Sequence, residues 1–323
     1  MHQGVFDQLK EEGLITEAQS LKVVAYHQQA PISVHWELTT LLSLGILILT
    51  SGLGVLVYKN IDSIGHLTII GFTAAACVAC FVWCLKHAQG FTKSKVLSHM
   101  VMYDYVLLLG CLLLLTLTSY LQFQYNFFGA NWGLATFIPM VILFIAAYYF
   151  DHLGVLSLAI TNLATWAGIA VAPLNIFNGL GENNSTIIFT GLALGALLMA
   201  ASLTSVEKKL KDHFAFTYKN FGLNILFISI LAGMFHFDSV YALWLIFLLP
   251  MSIYVVQQAT KESSFYFILI AVLYAFTGIS YVVIKLCMLI GDIGAFYLCF
   301  IYFIGSCIGL IYLLIHFNKM LKR

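Results

Sequence analysis

Charged residues are scarce in this chain. They make up 9% of its 323 residues, whereas soluble domains carry roughly 25%. Its 15 Lys and Arg residues nearly balance its 14 Asp and Glu residues, so the basic excess of a nucleic-acid-binding protein is missing. Only four prolines are present, which excludes a proline-rich disordered chain. The 61% of hydrophobic residues and a mean hydropathy of +0.95 indicate an all-α, polytopic membrane protein with the lipid bilayer as its first partner.

Long apolar runs separated by short polar stretches predict ten transmembrane helices. A bilayer core about 30 Å thick requires about 20 apolar residues at the helical rise of 1.5 Å. Two boundaries are very short, at Asp151-His152 and at Phe237-Asp238. The predicted spans are 38–58, 66–85, 101–121, 132–150, 153–173, 186–206, 216–236, 239–257, 264–284 and 293–316.

The basic residues predict the orientation of these spans. If the N-terminus is cytoplasmic, thirteen of the Lys and Arg residues fall inside, and only Lys59 and Lys285 fall outside. Ten spans also return the C-terminus to the cytoplasm. We therefore expect a cytoplasmic helical hairpin over residues 1–37, a transmembrane domain over 38–316 and a basic cytoplasmic tail over 317–323.

The N-terminal segment predicts a small amphipathic hairpin. Val5, Phe6 and Leu9 form an apolar stripe on its first helix. Residues 16–19 form a capping box that starts the second helix. A piece this small cannot build its own core. Its stripe is expected to pack on the membrane domain of this protein, on a second copy or on a partner.

Residues 9–19, followed by Tyr26-His27 and a glycine-containing first span over 41–56, carry a resemblance to a known family. The combination resembles the predicted bacterial membrane proteins grouped as domain of unknown function 2157. Beyond residue 65 the resemblance is looser, and the Trp that the family usually has after the first span is absent from residues 59–62. The resemblance implies a bacterial inner-membrane protein and supplies no catalytic residue.

Two asparagines lie near the middle of predicted spans, Asn162 in the fifth and Asn224 in the seventh. An amide at that depth needs a partner, so one interpretation is that the two asparagines face each other and hydrogen-bond between helices. The alternative is a buried polar site for a small neutral ligand, to which the neighbouring Thr165 and Trp166 would contribute.

Two ionisable residues lie just inside predicted spans, close to the cytoplasmic boundary. Asp104 is in the third span and Lys219 in the seventh, and both are about 4.5 Å below the boundary at the helical rise. Three interpretations remain open at this point. Each side chain extends to the interface, the two form an ion pair, or they form a coupling site.

Small residues mark two further helix faces. Cys77, Cys80 and Cys84 share a face of the second span, where cysteine is commonly a small apolar residue rather than a redox or metal ligand. Gly191 and Gly195 predict close approach of a neighbouring helix, either within this chain or in a second copy.

No metal-binding helix, phosphate-binding glycine loop or nucleophile elbow occurs in the sequence. We therefore expect neither an enzyme nor a bound cofactor. The pattern favours a non-catalytic component or regulator of a membrane assembly, with self-association or partner binding through the hairpin or the glycine-rich faces. The alternative is a secondary carrier or facilitator for a small neutral or amphipathic solute, because ten helices could form two inverted five-helix halves.

Overall fold

The computed structural model describes residues 48, 65–88, 90–93, 101–129, 131–171, 184–290 and 293–321. These residues form nine α-helices and contain no strand. The helices are α1 (His66–His87), α2 (Val101–Tyr125), α3 (Trp132–Phe150), α4 (Leu153–Val171), α5 (Asn184–Glu207), α6 (Phe214–His236), α7 (Tyr241–Lys261), α8 (Phe265–Ile290) and α9 (Ile293–Leu321). A short 3-10 turn, Asp238–Val240, joins α6 to α7.

The nine described helices coincide with the second to tenth predicted spans. Eight of them are long and apolar enough to cross a membrane, while α4 qualifies only as a shorter apolar helix over Leu153–Gly168. The breaks at Asp151-His152 and Phe237-Asp238 are confirmed as helix boundaries. The first span and the N-terminal hairpin lie outside the described residues, so the total of ten spans and the placement of both termini stay predictions.

The chain divides into two compact units, residues 1–69 and residues 70–323. Within the first unit, the described residues include Gly65, whose φ of +84° turns the chain and whose carbonyl accepts the N–H groups of Thr68 and Ile69. The second unit contains two hydrophobic clusters. One is centred on α6, α7 and α8, and the other joins α2, α3 and α4 to the start of α6.

Helices α5 and α6 pack closely because both carry glycine at their contact. A Cβ atom on Gly195 would lie 2.6 Å from the Leu226 side chain and 3.0 Å from the Gly222 carbonyl oxygen. A Cβ atom on Gly222 would in turn lie 3.1 Å from the Gly195 carbonyl oxygen. Only glycine permits this separation of backbones. The small-residue face of α5 is therefore covered by α6 of the same chain.

Several connections between helices meet at one end of the bundle, which we name the basic end. The Lys211 N–H, between α5 and α6, donates to the Lys93 carbonyl after α1 at 2.9 Å. The Lys211 ammonium contacts Asp151 between α3 and α4. Lys219 at the start of α6 pairs with Glu262 after α7. These are connections that the distribution of basic residues predicts for a single side of the membrane.

We predict that Gly195→Ala destabilises the protein by about 1–3 kcal/mol, because the added methyl group overpacks the α5–α6 contact. Gly71→Ala is the matched control, since no described atom lies within 4 Å of a Cβ at that helical position. It should be neutral or stabilising by about 0.5–1 kcal/mol. Thermal unfolding in detergent measures both variants, and equal transitions would contradict the close α5–α6 contact.

Candidate functional site

A buried ionic cluster at the basic end is the most polar interior feature of the described residues. Asp151 lies directly after α3 with a left-handed φ of +58°, and its N–H bonds to the Ala147 carbonyl. Glycine or asparagine is the usual residue at this position, and aspartate is among the few others that tolerate it. The Asp151 side chain is only 3% exposed. Its carboxylate therefore points into the protein, where it needs positive or hydrogen-bonding partners.

Two side chains from the α5–α6 connection meet one oxygen of this carboxylate. Lys211 Nζ and His213 Nε2 each lie 2.8 Å from Asp151 Oδ1. Because an ionised carboxylate only accepts, we assign the Nε2 proton to His213 from this contact. The Lys211 ammonium approaches without hydrogen-bond alignment, so its contact with Asp151 is an ion pair rather than an aligned hydrogen bond.

Lys211 is fully buried, and its backbone contributes further contacts. Its φ is +53°, its carbonyl accepts the Ser205 hydroxyl at 2.9 Å, and its ammonium lies 5.7 Å from the centre of the Phe91 ring. With the bond from its N–H to the Lys93 carbonyl and the contact with Asp151, this single residue links its own connection to two others. A buried lysine carries a large desolvation cost, so the Asp151 charge is what makes its position tolerable.

His152 follows Asp151 and caps the next helix. The Val155 N–H donates to His152 Nδ1 at 3.1 Å, so the ring acts as an acceptor at the start of α4. This requires an unprotonated Nδ1. Gly154 makes room for the ring, because a Cβ there would lie 2.8 Å from the His152 ring. Burial lowers the pKa of His152, and the nearby Asp104 and Asp151 carboxylates oppose that shift.

The two midspan asparagines bond to different partners. Asn162 is buried, and its amide donates to the Thr136 carbonyl of α3 at 3.0 Å. Asn224 donates to the Asn220 carbonyl and side chain on its own helix, and its oxygen accepts the Tyr274 hydroxyl of α8 at 3.1 Å. Each amide therefore joins a separate pair of helices, α3–α4 or α6–α8.

The remaining residues of the expected polar site do not converge with the asparagines. Thr165 is exposed and donates to the Thr161 carbonyl of its own helix. Trp166 packs on Phe137 of α3, with ring centres 5.4 Å apart. These contacts are typical of helix packing, and each of the four side chains has its own partner.

Among the described side chains, the contacts of Lys219 correct the expected Asp104–Lys219 ion pair. Lys219 Nζ pairs with Glu262 at 2.5 Å and lies 4.8 Å from the centre of the Phe267 ring. Asp104 instead lies near His152, where its charge opposes the lowering of the His152 pKa by burial. Sequence spacing placed Asp104 and Lys219 at the same depth, but depth does not determine which helices are neighbours. Glu262 lies in the turn that faces the start of α6.

The cysteines of α1 contribute to helix packing. Cys77 and Cys84 are buried, and the Cys77 thiol donates to the Gly110 carbonyl of α2 at 3.5 Å. A Cβ on Gly110 would lie 3.0 Å from Cys80 Cβ, so α1 and α2 approach closely here. Within the part of the chain that the structure describes, no three His, Cys, Asp or Glu side chains are grouped to hold a metal ion.

The buried cluster was not identified as a site from the sequence. Asp151-His152 was predicted only as a helix boundary, and Lys211 and His213 only as members of a charged connection. One signal was available. Asp151 and His152 are the only acidic or basic residues in the apolar stretch 132–173, which is long enough for two spans. A short turn buried at a bundle end needs partners for such groups.

Long apolar helices with their charged groups gathered at the helix ends define a polytopic helical membrane protein. Residues 7–156 match the family model described as predicted membrane protein (DUF2157). The match confirms the resemblance seen in the sequence and extends it through α1, α2 and α3 to Asp151 and His152. No curated protein and no solved structure matches the chain.

We predict that Lys211→Met destabilises the protein by about 3–5 kcal/mol, because it leaves the Asp151 carboxylate buried without its cation. Lys208→Met is the matched control at an exposed position of the same connection, and it should change stability by less than about 0.5 kcal/mol. Thermal unfolding in detergent measures both. Equal losses would show that Lys211 is not held by Asp151. In a double-mutant cycle, Asp151→Asn with Lys211→Met should cost less than the sum of the single changes.

We predict that folding stability falls as the pH drops below about 6.5, the ordinary pKa of histidine. The folded protein favours neutral His152, so the unfolded chain binds more protons in that range, and acid shifts the equilibrium toward unfolding. Above that pH, the contribution of the His152 cap to folding stability is fully present.

His152→Asn supplies the control for this pH dependence. Asparagine is a strong helix N-cap whose oxygen accepts the same N–H at every pH. Thermal unfolding of both proteins is measured between about pH 5 and about pH 8, a range that brackets the histidine pKa. The variant should lose less stability than the wild-type protein at the acidic end. Parallel curves for the two proteins would exclude His152 as the titrating group.

Proposed function

We propose that this protein is a non-catalytic component of a membrane assembly, or its regulator, in the bacterial inner membrane with both termini in the cytoplasm. The observation that carries the proposal is the exposed outer face of α9. No residue in the apolar window Tyr297–Leu321 of this helix is buried by the described residues. The described residues leave this face of a membrane-spanning helix uncovered, and we assign it to a helix of another chain.

The sequence of α9 suits a helix–helix contact. Leu310, Leu314 and Phe317 pack toward the hydrophobic cluster of α6, α7 and α8. Gly305 and Gly309 lie on the opposite face, and no described atom lies within 4 Å of a Cβ at either position. Two glycines four residues apart on an apolar helix allow close approach of a second helix.

The same spacing is already used inside this chain, at Gly191 and Gly195 of α5. There α6 fills the glycine face, and backbone atoms approach closely. The contrast supports assigning the α9 face to a helix of another membrane-embedded chain. The engaged amides of Asn162 and Asn224 favour an assembly component over a carrier, because each has a bonding partner within the bundle.

The test is native mass spectrometry of the protein released gently from its own membrane. The wild-type protein should carry a reproducible additional polypeptide or form a defined oligomer. Gly305→Ile with Gly309→Ile should abolish that association, because the branched side chains separate the helices. Thermal unfolding should stay unchanged, since no described atom lies within 4 Å of a Cβ at either position.

Gly71→Ile is the matched control, because it introduces the same side chain at another exposed helical glycine with no described atom within 4 Å of a Cβ. It should retain the association. A double α9 variant that keeps its partner would contradict the proposed contact. A wild-type monomer that holds a small molecule of fixed mass would contradict the assembly function and favour the carrier.

A further inference from the structure

A cavity of about 460 Å³ lies between α5, α6 and α7, at the end of the bundle opposite the basic end. Its lining exposes no polar surface. Its volume is within the range of about 300–1,000 Å³ that is usual for small-molecule sites. The lining residues are Phe189, Leu192, Ile230, Phe237, Val240, Leu243, Trp244 and Phe247.

Three aromatic rings form a fixed wall of this cavity. Phe237 and Trp244 stack with centres 5.7 Å apart and planes 5° from parallel, and Phe189 lies 6.1 Å and 6.3 Å from them. Trp244 is 8% exposed, and its ring lies where a Cβ on Gly233 would be only 2.5 Å away. Because Gly233 admits the ring and Phe237 stacks on it, the wall is built before any ligand arrives.

The rim of the cavity faces the membrane. Phe189, Leu243 and Phe247 are 55–60% exposed on α5 and α7, two helices that are long and apolar enough to span a bilayer. Water inside the cavity would find no hydrogen-bond partner on its walls, and an empty space would lose dispersion contacts. The hydrocarbon of the bilayer contacts the rim. It needs no hydrogen-bond partner, and it supplies the dispersion contacts that an empty space would lose.

We propose that this cavity binds one acyl chain of a membrane lipid. The lining begins at Phe237, next to the polar turn at Asp238, and continues from Val240 in that turn to Phe247 on α7, about 10 Å at the helical rise. A chain that enters near the turn can therefore run parallel to α7.

The described polar groups at the adjacent α6–α7 turn are already paired with one another. Asp238 pairs with Lys285 at 2.6 Å and accepts the Tyr281 hydroxyl at 2.8 Å. This carboxylate and this ammonium thus neutralise each other at the α6–α7 turn. The site selects a hydrocarbon chain, and the charge of the lipid headgroup contributes little to binding.

Quenching of Trp244 fluorescence by brominated lipid tests the proposal. The chain carries four other tryptophans, and replacing them with Phe leaves Trp244 as the single reporter. This variant is reconstituted in phosphatidylcholine vesicles whose acyl chains are brominated at mid-length. It is then extracted and washed in lipid-free detergent. A bound chain should keep most of the Trp244 emission quenched after washing.

Two variants make the result specific. A surface reporter carries Ile246→Trp with every native tryptophan replaced by Phe, and because Ile246 is 67% exposed it should recover its emission on washing. Leu192→Phe, introduced into the Trp244 reporter, narrows the cavity and should abolish the persistent quenching. Each variant is compared with the wild-type protein by thermal unfolding, and native mass spectrometry should find one retained lipid fewer per chain with Leu192→Phe.

The proposal is overturned if Trp244 recovers together with the surface reporter, or if Leu192→Phe leaves quenching and lipid retention unchanged. It is also overturned if Trp244 is never quenched in vesicles and native mass spectrometry finds a second copy of the chain, because the cavity would then be an interface. Failure of the α9 variants to lose a partner would leave these results unaffected, since α9 contributes no residue to the cavity.

Discussion

One carboxylate oxygen, Oδ1 of Asp151, governs the arrangement of the basic end. It meets the Lys211 ammonium and the His213 ring, and Lys211 in turn bonds to the connection that follows α1. Apolar contacts alone do little to select one arrangement of helices in a membrane, because lipid tails are as apolar as leucine side chains. A buried charge restricts the allowed arrangements, since any packing that separates Asp151 from Lys211 removes the ion pair between two buried charges.

The positions of the helices could be read from the sequence, but their neighbours could not. Helix α3 occupies residues 132–150 as predicted, because the apolar run ends at Asp151. The partner of Lys219 followed from tertiary structure alone, since Glu262 is 43 residues away and became adjacent through the packing of α6 beside the end of α7. The burial of Lys211 could not be predicted from the sequence either. A lysine in a charged connection is normally exposed, and its burial depends on a carboxylate supplied by a different turn.

The asparagines and glycines show the same division between what local sequence determines and what packing determines. Depth alone predicted that Asn162 and Asn224 need partners, and both have them. It could not reveal that Asn224 bonds partly to Asn220 on its own helix. The two glycine pairs have identical spacing, yet α5 is covered by α6, whereas no described atom approaches the pair on α9. A spacing motif encodes the ability to approach closely, and the surrounding helices decide whether that ability is used internally.

Polarity and its absence divide the second unit into two chemically different ends. At the basic end, buried charges and a histidine cap hold short connections in fixed positions. At the opposite end, the Asp238–Lys285 pair is exposed, and the space beneath the α6–α7 turn is walled by aromatic rings without polar surface. Buried ionic contacts specify the geometry of the helices because separating the charges is costly. An apolar wall accepts any hydrocarbon that fits. The basic end is therefore suited to maintaining one arrangement of helices, and the aromatic end to exchanging contacts with the surrounding bilayer.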